Sequence, residues 1–354
     1  MLYFRNRCNR QFVGCLYCFA GFRGDCTLIR RRIFRAAVPA GEGFGYALNL
    51  RSTEHESLGS ILLLDSPQDD LLLQFGNFSE DDTQFLLKIF YDYVSVPFRV
   101  GENISFLYHY AFHLDLEQEL EIPFALCNSV LRGGASSANL VIMIMANADA
   151  FQQDLQEFFM LQYGIQRQFY IFYGREYMRE ILLEDPTDLE AFRKNLAVLG
   201  WTSSLAPTEF KSFSIMVSEE QFFSFNVRPI PTGLHESDAK ENARYFPSAY
   251  LLAYPGEDLM FSFLIGDAFN GYITKFVLVG LLDWEQINLN NQPFLPRAFP
   301  FSHVYSDTYY DTFKITAPRS PGRYEFLVFA VGVSDEVSRF SLIQHSLRMT
   351  IVVE

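Results

Sequence analysis

Four cysteines stand in the first 26 residues: Cys8, Cys15, Cys18 and Cys26. Cys15 and Cys18 form a Cys-x-x-Cys pair, and a structural zinc ion takes four such soft ligands in a tetrahedron. The chemistry those residue types allow is therefore a four-thiolate zinc site. The outer two are not spaced as a second pair, and Arg and bulky aromatics fill the intervals where turn-forming residues would be needed. The alternative reading, which fits those neighbours better, is a basic leader outside the fold. Hard oxygen ligands come next: Asp65, Asp69 and Asp70 crowd one turn, as do Glu80, Asp81 and Asp82, and Glu184, Asp185 and Asp188 another. Calcium takes six to eight oxygens. None of these runs has the alternating spacing of a calcium loop, so solvated turn acids are the competing reading. His109 and His113 would share a helical face as ligands. On a strand they would be about 13 Å apart, too far for one ion.

No nucleophile elbow, phosphate loop, dinucleotide fingerprint or His-Glu-x-x-His occurs, so the sequence names no catalytic residue and implies no cofactor. Paired carboxylates for glycoside chemistry need a cleft that a sequence does not display.

The elements that position these groups read as strands. With 37 Phe and 19 Tyr among 354 residues, the chain favours pleated, half-buried surfaces. It also exceeds the roughly 250 to 300 residues at which one core stops growing. Charge is uneven: eight Arg against one acid give residues 1–40 a charge of +7 in a chain of −14, so the remainder carries −21. An acidic body of that size repels nucleic acid and anionic lipid. Apart from the leader only Cys127 remains, so no disulfide pairs within the body. No apolar run reaches 18 residues, and no transmembrane helix is expected.

From Gly41, strands are expected at Tyr46–Leu50, Ile61–Leu64, Leu71–Phe75, Gln84–Tyr93, Ile104–Leu114, Leu120–Leu126 and Asn139–Ala146. The spacing of 8 to 15 residues suits an antiparallel sandwich. Helical periodicity appears at Phe151, Leu155, Phe158, Phe159 and Tyr163, and again over 185–200, where Asp185 caps, Pro186 opens and Gly200 closes. Gln168–Tyr173 between them reads as a strand. Further strands follow at Phe213–Val217, Phe222–Val227, Ala249–Ala253, Asp258–Ile265 and Ser346–Val353. Leu86–Val96 can be laid on Val277–Ile287 with Asp92-Tyr93 over Asp283-Trp284, about 190 residues apart, the mark of a duplicated unit.

The stretch Tyr272–Val333 organises the second unit. Ile273–Trp284, closed by polar Asn288 to Gln292, reads as a buried strand and a turn, Phe313 and Ile315 alternate on another strand, and Tyr324 follows the corner Ser320-Pro321-Gly322 at the head of Tyr324–Val331. An aromatic just after a Pro-Gly corner resembles the later strands of bacterial immunoglobulin-like sandwich domains. The resemblance covers about a third of the chain and brings no functional residues with it.

The expected architecture is mainly β: a basic leader over 1–40, an immunoglobulin-like β-sandwich over 41–150, a partly helical connector over 151–205 and a second sandwich over 206–354. The resemblance implies an extracellular or envelope protein that binds and does not catalyse, in adhesion, assembly or surface display. Its partners would be a protein or glycan ligand, or a second copy joined through sheet edges, with no nucleic acid. The alternatives are a polysaccharide-acting hydrolase with aromatics and loop carboxylates on one sandwich face, and a soluble cytoplasmic scaffold.

Overall fold

The computed structural model describes residues 46–52, 60–66, 69–78, 83–127, 137–148, 164–174, 208–209, 225–230, 250–266, 275–298, 308–333, 343–346 and 348–354. Among these residues every regular element is a strand. The earlier part of the chain contributes β1 (Tyr46–Ser52), β2 (Ile61–Leu64), β3 (Leu71–Asn77), β4 (Thr83–Tyr91), β5 (Val94–Ser95), β6 (Phe98–Val100), β7 (Tyr110–Leu114), β8 (Glu119–Leu126), β9 (Ser137–Ala146) and β10 (Gly164–Tyr173). The later part contributes β11 (Thr208–Glu209), β12 (Phe225–Pro229), β13 (Tyr250–Ala253), β14 (Asp258–Gly266), β15 (Lys275–Leu282), β16 (Glu285–Ile287), β17 (Leu295–Ala298), β18 (Thr308–Thr316), β19 (Gly322–Val333), β20 (Ile343–His345) and β21 (Met349–Val353).

They form four sheets. The first has the order β1-β3-β8-β6, and the second β2-β10-β9-β4-β5, with β7 also on β4. The third runs β11-β17-β15-β19-β21-β13, with β16 on β15 and β20 on β19, and the fourth β12-β14-β18. Pairing is antiparallel except at β2 on β10, β11 on β17 and β13 on β21.

Alternation along the strands sorts side chains into three cores, because successive residues of a strand point to opposite faces. Phe85, Leu87 and Ile89 of β4 and Leu140, Ile142 and Ile144 of β9 pack toward Phe75 and Phe124 of the first sheet. Phe276 and Leu278 of β15 and Phe326 and Val328 of β19 pack toward Phe261 and Phe313 of the fourth. The residues between them make the third core, joining Phe90, Val141, Met143 and Met145 to Val277, Val279, Leu327, Phe329 and Val331. The molecule is therefore four layers deep, with the second and third sheets buried on both faces. That explains the unbroken apolar runs Leu140–Ala146 and Phe326–Val331: a strand covered on both sides has no solvent face to make polar. Outer strands keep the alternation, as in β8, where Ile122, Phe124 and Leu126 are buried and Glu119, Glu121 and Pro123 exposed.

Both expected helices, at 151–163 and 185–200, lie outside the described residues, as does the strand expected at Phe213–Val217. β10 falls within the stretch assigned to a connector, yet it pairs with β9 along nine residues and so continues the second sheet past residue 150. The strand expected over Ile104–Leu114 begins only at Tyr110. β4 carries β7 from Thr83 to Leu87, but at Phe90 and Tyr91 the same edge is taken by β5, and Val96 N–H donates to Ile89 C=O at 3.1 Å. Residues 104–109 find no place along β4 and form a loop, pinned at Leu107 by two backbone hydrogen bonds to Phe98 of β6, at 2.8 and 2.9 Å.

Candidate functional site

The seam between the second and third sheets is built from matching parts. After β4, Asp92 and Tyr93 take φ of 47° and 69°; after β15, Asp283 and Trp284 take 47° and 66°. Positive φ at both central residues is the type I′ hairpin turn, whose twist matches the strands it joins. Asp92 N–H donates to Asn139 C=O at 2.8 Å, and Asn139 N–H returns to Asp92 Oδ1 at 3.0 Å. Asp283 N–H donates to Glu325 C=O at 2.8 Å, and Glu325 N–H to Asp283 Oδ1 at 2.7 Å. The aspartates thus clip each hairpin to the neighbouring long strand, β9 or β19. Burial pushes the Asp283 carboxyl above its ordinary value, partly offset by the hydrogen bond from Glu325.

The next side chains diverge. On the first side Gln168 Nε2 donates to Asn139 Oδ1 at 3.0 Å, a neutral pair. On the second, Arg348 donates through Nε and Nη2 to the two oxygens of Glu325, both residues almost wholly buried. The Arg348 guanidinium also lies 5.0 Å from the Trp284 ring centre. It reaches across the seam to the carbonyls of Ala146, Asn147 and Ala148 at 3.3 to 3.4 Å. Burial raises the Glu325 carboxyl and Arg348 opposes the rise. A second bridge runs through Gln286, which donates to Tyr93 C=O at 3.0 Å and Pro293 C=O at 2.7 Å and accepts from Ser95 N–H at 2.5 Å.

Two surface features flank the seam. Lys88 of β4 is fully buried, its ammonium 3.4 Å from Tyr108 C=O and 6.0 Å from the Phe90 ring. Burial lowers its pKa and Glu285 opposes the fall. Above it the loop 101–109 presents Ile104 at 93% exposure, with Phe106, Leu107 and Tyr108 each at least 38% exposed. His109 Nδ1 approaches Glu285 Oε1 at 3.9 Å, which sets this loop beside the second half as well. Between β16 and β18 lies a hollow of about 310 Å³ lined by Gln286, Ile287, Asn288, Asn291, Lys314, Ile315 and Thr316. Its one ion pair, Lys314 to Asp258 at 2.9 Å, holds the Asp258 carboxyl below the usual carboxylate range. No carboxylate lines the hollow, so the facing acids of a glycoside-cleaving site are not brought together there.

Of the metal candidates, Cys8, Cys15, Cys18 and Cys26 lie outside the described residues. Asp65, Asp69 and Asp70 fall on the turn after β2. There Asp69 Oδ2 accepts from the backbone N–H of Asp65 at 2.9 Å and of Ser66 at 3.2 Å, so its carboxylate closes the turn. Among the described residues no three His, Cys, Asp or Glu side chains stand together as a metal site would need. His113 is on β7, 3.3 Å from Asp115. Among the same residues no helix is long and apolar enough to cross a membrane.

No family model matches the chain and no curated protein matches it. Solved structures that align with it include the YadV chaperone, at 9% identity over 85% of this chain and 98% of that one, with a TM-score of 0.22. The C-terminal domain of the AgI/II polypeptide BspA of Streptococcus agalactiae aligns at 8% identity over 87% of this chain and all of that one, TM-score 0.23. A family 123 glycoside hydrolase of Clostridium perfringens aligns at 15% identity and TM-score 0.22 over 37% of this chain, which spans 27% of that enzyme. Scores of this size assign neither a family nor an activity.

Proposed function

We propose that this chain is a non-catalytic binding protein of the extracellular space or cell envelope: two immunoglobulin-like sandwiches fused face to face, presenting an apolar loop to a protein partner. The observation that carries the reading is the loop Ile104–Tyr108. Four large apolar side chains within five residues stand in solvent, beside a seam held by buried rings and a buried ion pair. Exposed apolar clusters of that kind on an ordered frame mark protein contact surfaces. The strand order supports the sandwich type. In the first half β1 lies beside β3 in one sheet while β2 runs parallel to β10 in the other; in the second half β12 lies beside β14 in one sheet while β13 runs parallel to β21 in the other. The envelope location follows from the resemblance to bacterial immunoglobulin-like domains.

Two arms test this in the native host. Fractionation with mass spectrometry of the mature N-terminus is expected to place the protein outside the cytoplasm. Affinity capture with wild type is expected to retain a partner that the double variant Ile104→Ser, Phe106→Ser loses and that Asn288→Ala, Asn291→Ala keeps. A partner retained equally by all three excludes the loop as the contact, and a cytoplasmic protein with intact residues 1–40 counts against export.

A further inference from the structure

Strands β2 and β13 hold the same place in the two halves. Each lies parallel beside one neighbour, β10 or β21, and each ends its sheet among the described strands. Their surroundings differ: all four residues of β2 are buried, whereas on β13 Tyr250 is 41% and Leu252 53% exposed, with Tyr254 just beyond at 73%. Leu251 and Ala253 point the other way, into the core shared with the fourth sheet. Glu354 N–H donates to Ala253 C=O at 3.1 Å, so the polar groups of Ala253 belong to β21. Alternation then turns the N–H and C=O of Leu252 outward, toward none of the described strands. Both backbone groups of Tyr254 are taken by Glu257, the N–H by Oε2 at 2.8 Å and the C=O by the Glu257 N–H at 3.0 Å, so the open backbone groups of this edge are those of Leu252. An edge strand with outward backbone groups and exposed apolar side chains is a template for another strand.

We propose that β13 pairs with β13 of a second copy of this chain, antiparallel, about a twofold axis through Leu252. The exposed row Tyr250, Leu252, Tyr254 reads the same in both directions. Antiparallel pairing centred on Leu252 therefore sets Leu252 against Leu252 and each Tyr250 against the other copy's Tyr254, which is the self-complementarity a twofold interface requires. Cross-strand pairs of this type contribute roughly 0.2 to 1 kcal/mol each. Charge selects the same strip. Two copies of a chain at −14 repel over most of their surfaces, but Tyr245–Pro255 contains no charged residue. One short strand pair buries less than the roughly 1,200 Å² of a standard interface, so the dimer is weak and concentration-dependent. This surface is separate from the loop Ile104–Tyr108, and each proposal stands without the other.

The test is light scattering on the full chain across a concentration series, with wild type, Leu252→Lys and Leu252→Asp. Wild type is expected to rise from the monomer mass of 40.9 kDa toward twice that value. Each variant, with unchanged β-sheet circular dichroism, is expected to dimerise at least about tenfold more weakly, because like charges then face each other across the axis. An equimolar mixture of the two sets Lys opposite Asp and is expected to regain the dimer, and Met260→Lys, exposed but on β14, to behave as wild type. A wild-type mass that stays monomeric at every concentration overturns the proposal. So does a dimer that both variants leave intact, or a mixture that recovers nothing.

Discussion

The ring of Phe90 stands edge-on to the ring of Phe329, their centres 5.0 Å apart, and the two residues come from sheets in opposite halves of the chain. Both are completely buried. The apolar seam around them makes four layers out of what would otherwise be two separate sandwiches, and edge-to-face rings add to the area they bury. Truncating Phe329→Ala is expected to cost about 3 to 5 kcal/mol of stability. Urea denaturation is expected to show the cost in one transition, reported equally by probes in either half.

Arg348 ties the same seam with charge. Arg348→Met leaves the Glu325 carboxylate buried without its partner and is expected to cost about 3 to 5 kcal/mol. Replacing both, Arg348→Gln with Glu325→Asn, copies the neutral Gln168–Asn139 arrangement of the first half and is expected to restore more than half of the loss. A double-mutant cycle by chemical denaturation measures the coupling. A double variant no better than Arg348→Met would show that the hold on the β9 carbonyls, not the ion pair, carries the energy.

Lys88 gives the molecule an alkaline pH dependence. Its folded pKa lies below the ordinary 10.5, chiefly through burial. As pH rises from below the folded value to above the unfolded one, the unfolded chain holds a proton that the folded chain has released, so stability increases over that window. Lys88→Met removes the cost of burying the ammonium and is expected to raise the melting temperature at neutral pH. The gap from wild type is expected to narrow as pH approaches 10.5. A gap that stays constant with pH excludes titration of Lys88 as its source.

Tyr324 OH donates to Ser320 C=O at 2.8 Å and pins the Pro-Gly corner to the start of β19. This is the tyrosine that the corner Ser320-Pro321-Gly322 pointed to. Tyr324→Phe keeps the ring and loses the bond, and is expected to cost about 1 kcal/mol in denaturant melts.

The strands were legible because β-branched and aromatic residues cluster in short runs; Asp92-Tyr93 and Asp283-Trp284 were legible as a repeat but not as turns, since Asp92 and Tyr93 read as the end of the strand Gln84–Tyr93, whereas β4 stops at Tyr91. The seam was not. Leu140–Ala146 reads from composition as a buried strand, but nothing in it says that Val141 and Met143 meet the later half of the chain and not a helix or a ligand. Ile104–Leu114 misled for the opposite reason: Ile104, Phe106, Tyr108, Tyr110, Phe112 and Leu114 alternate as a strand should. Only the capture of the β4 edge by β5 pushes the first three into solvent, and that competition is settled by pairing, not by local pattern. Arg348 carried no signal, since an arginine is ordinarily solvated, and its burial depends on Glu325 arriving from another strand.

Amide hydrogen exchange on the full chain tests most directly whether the seam makes one cooperative body. The amides of Ile142 in β9 and Val328 in β19 are expected to open with the same free energy, and Phe329→Ala is expected to lower both by the same amount. Loss of protection confined to Val328 and its neighbours, with Ile142 unchanged, would contradict the four-layer account.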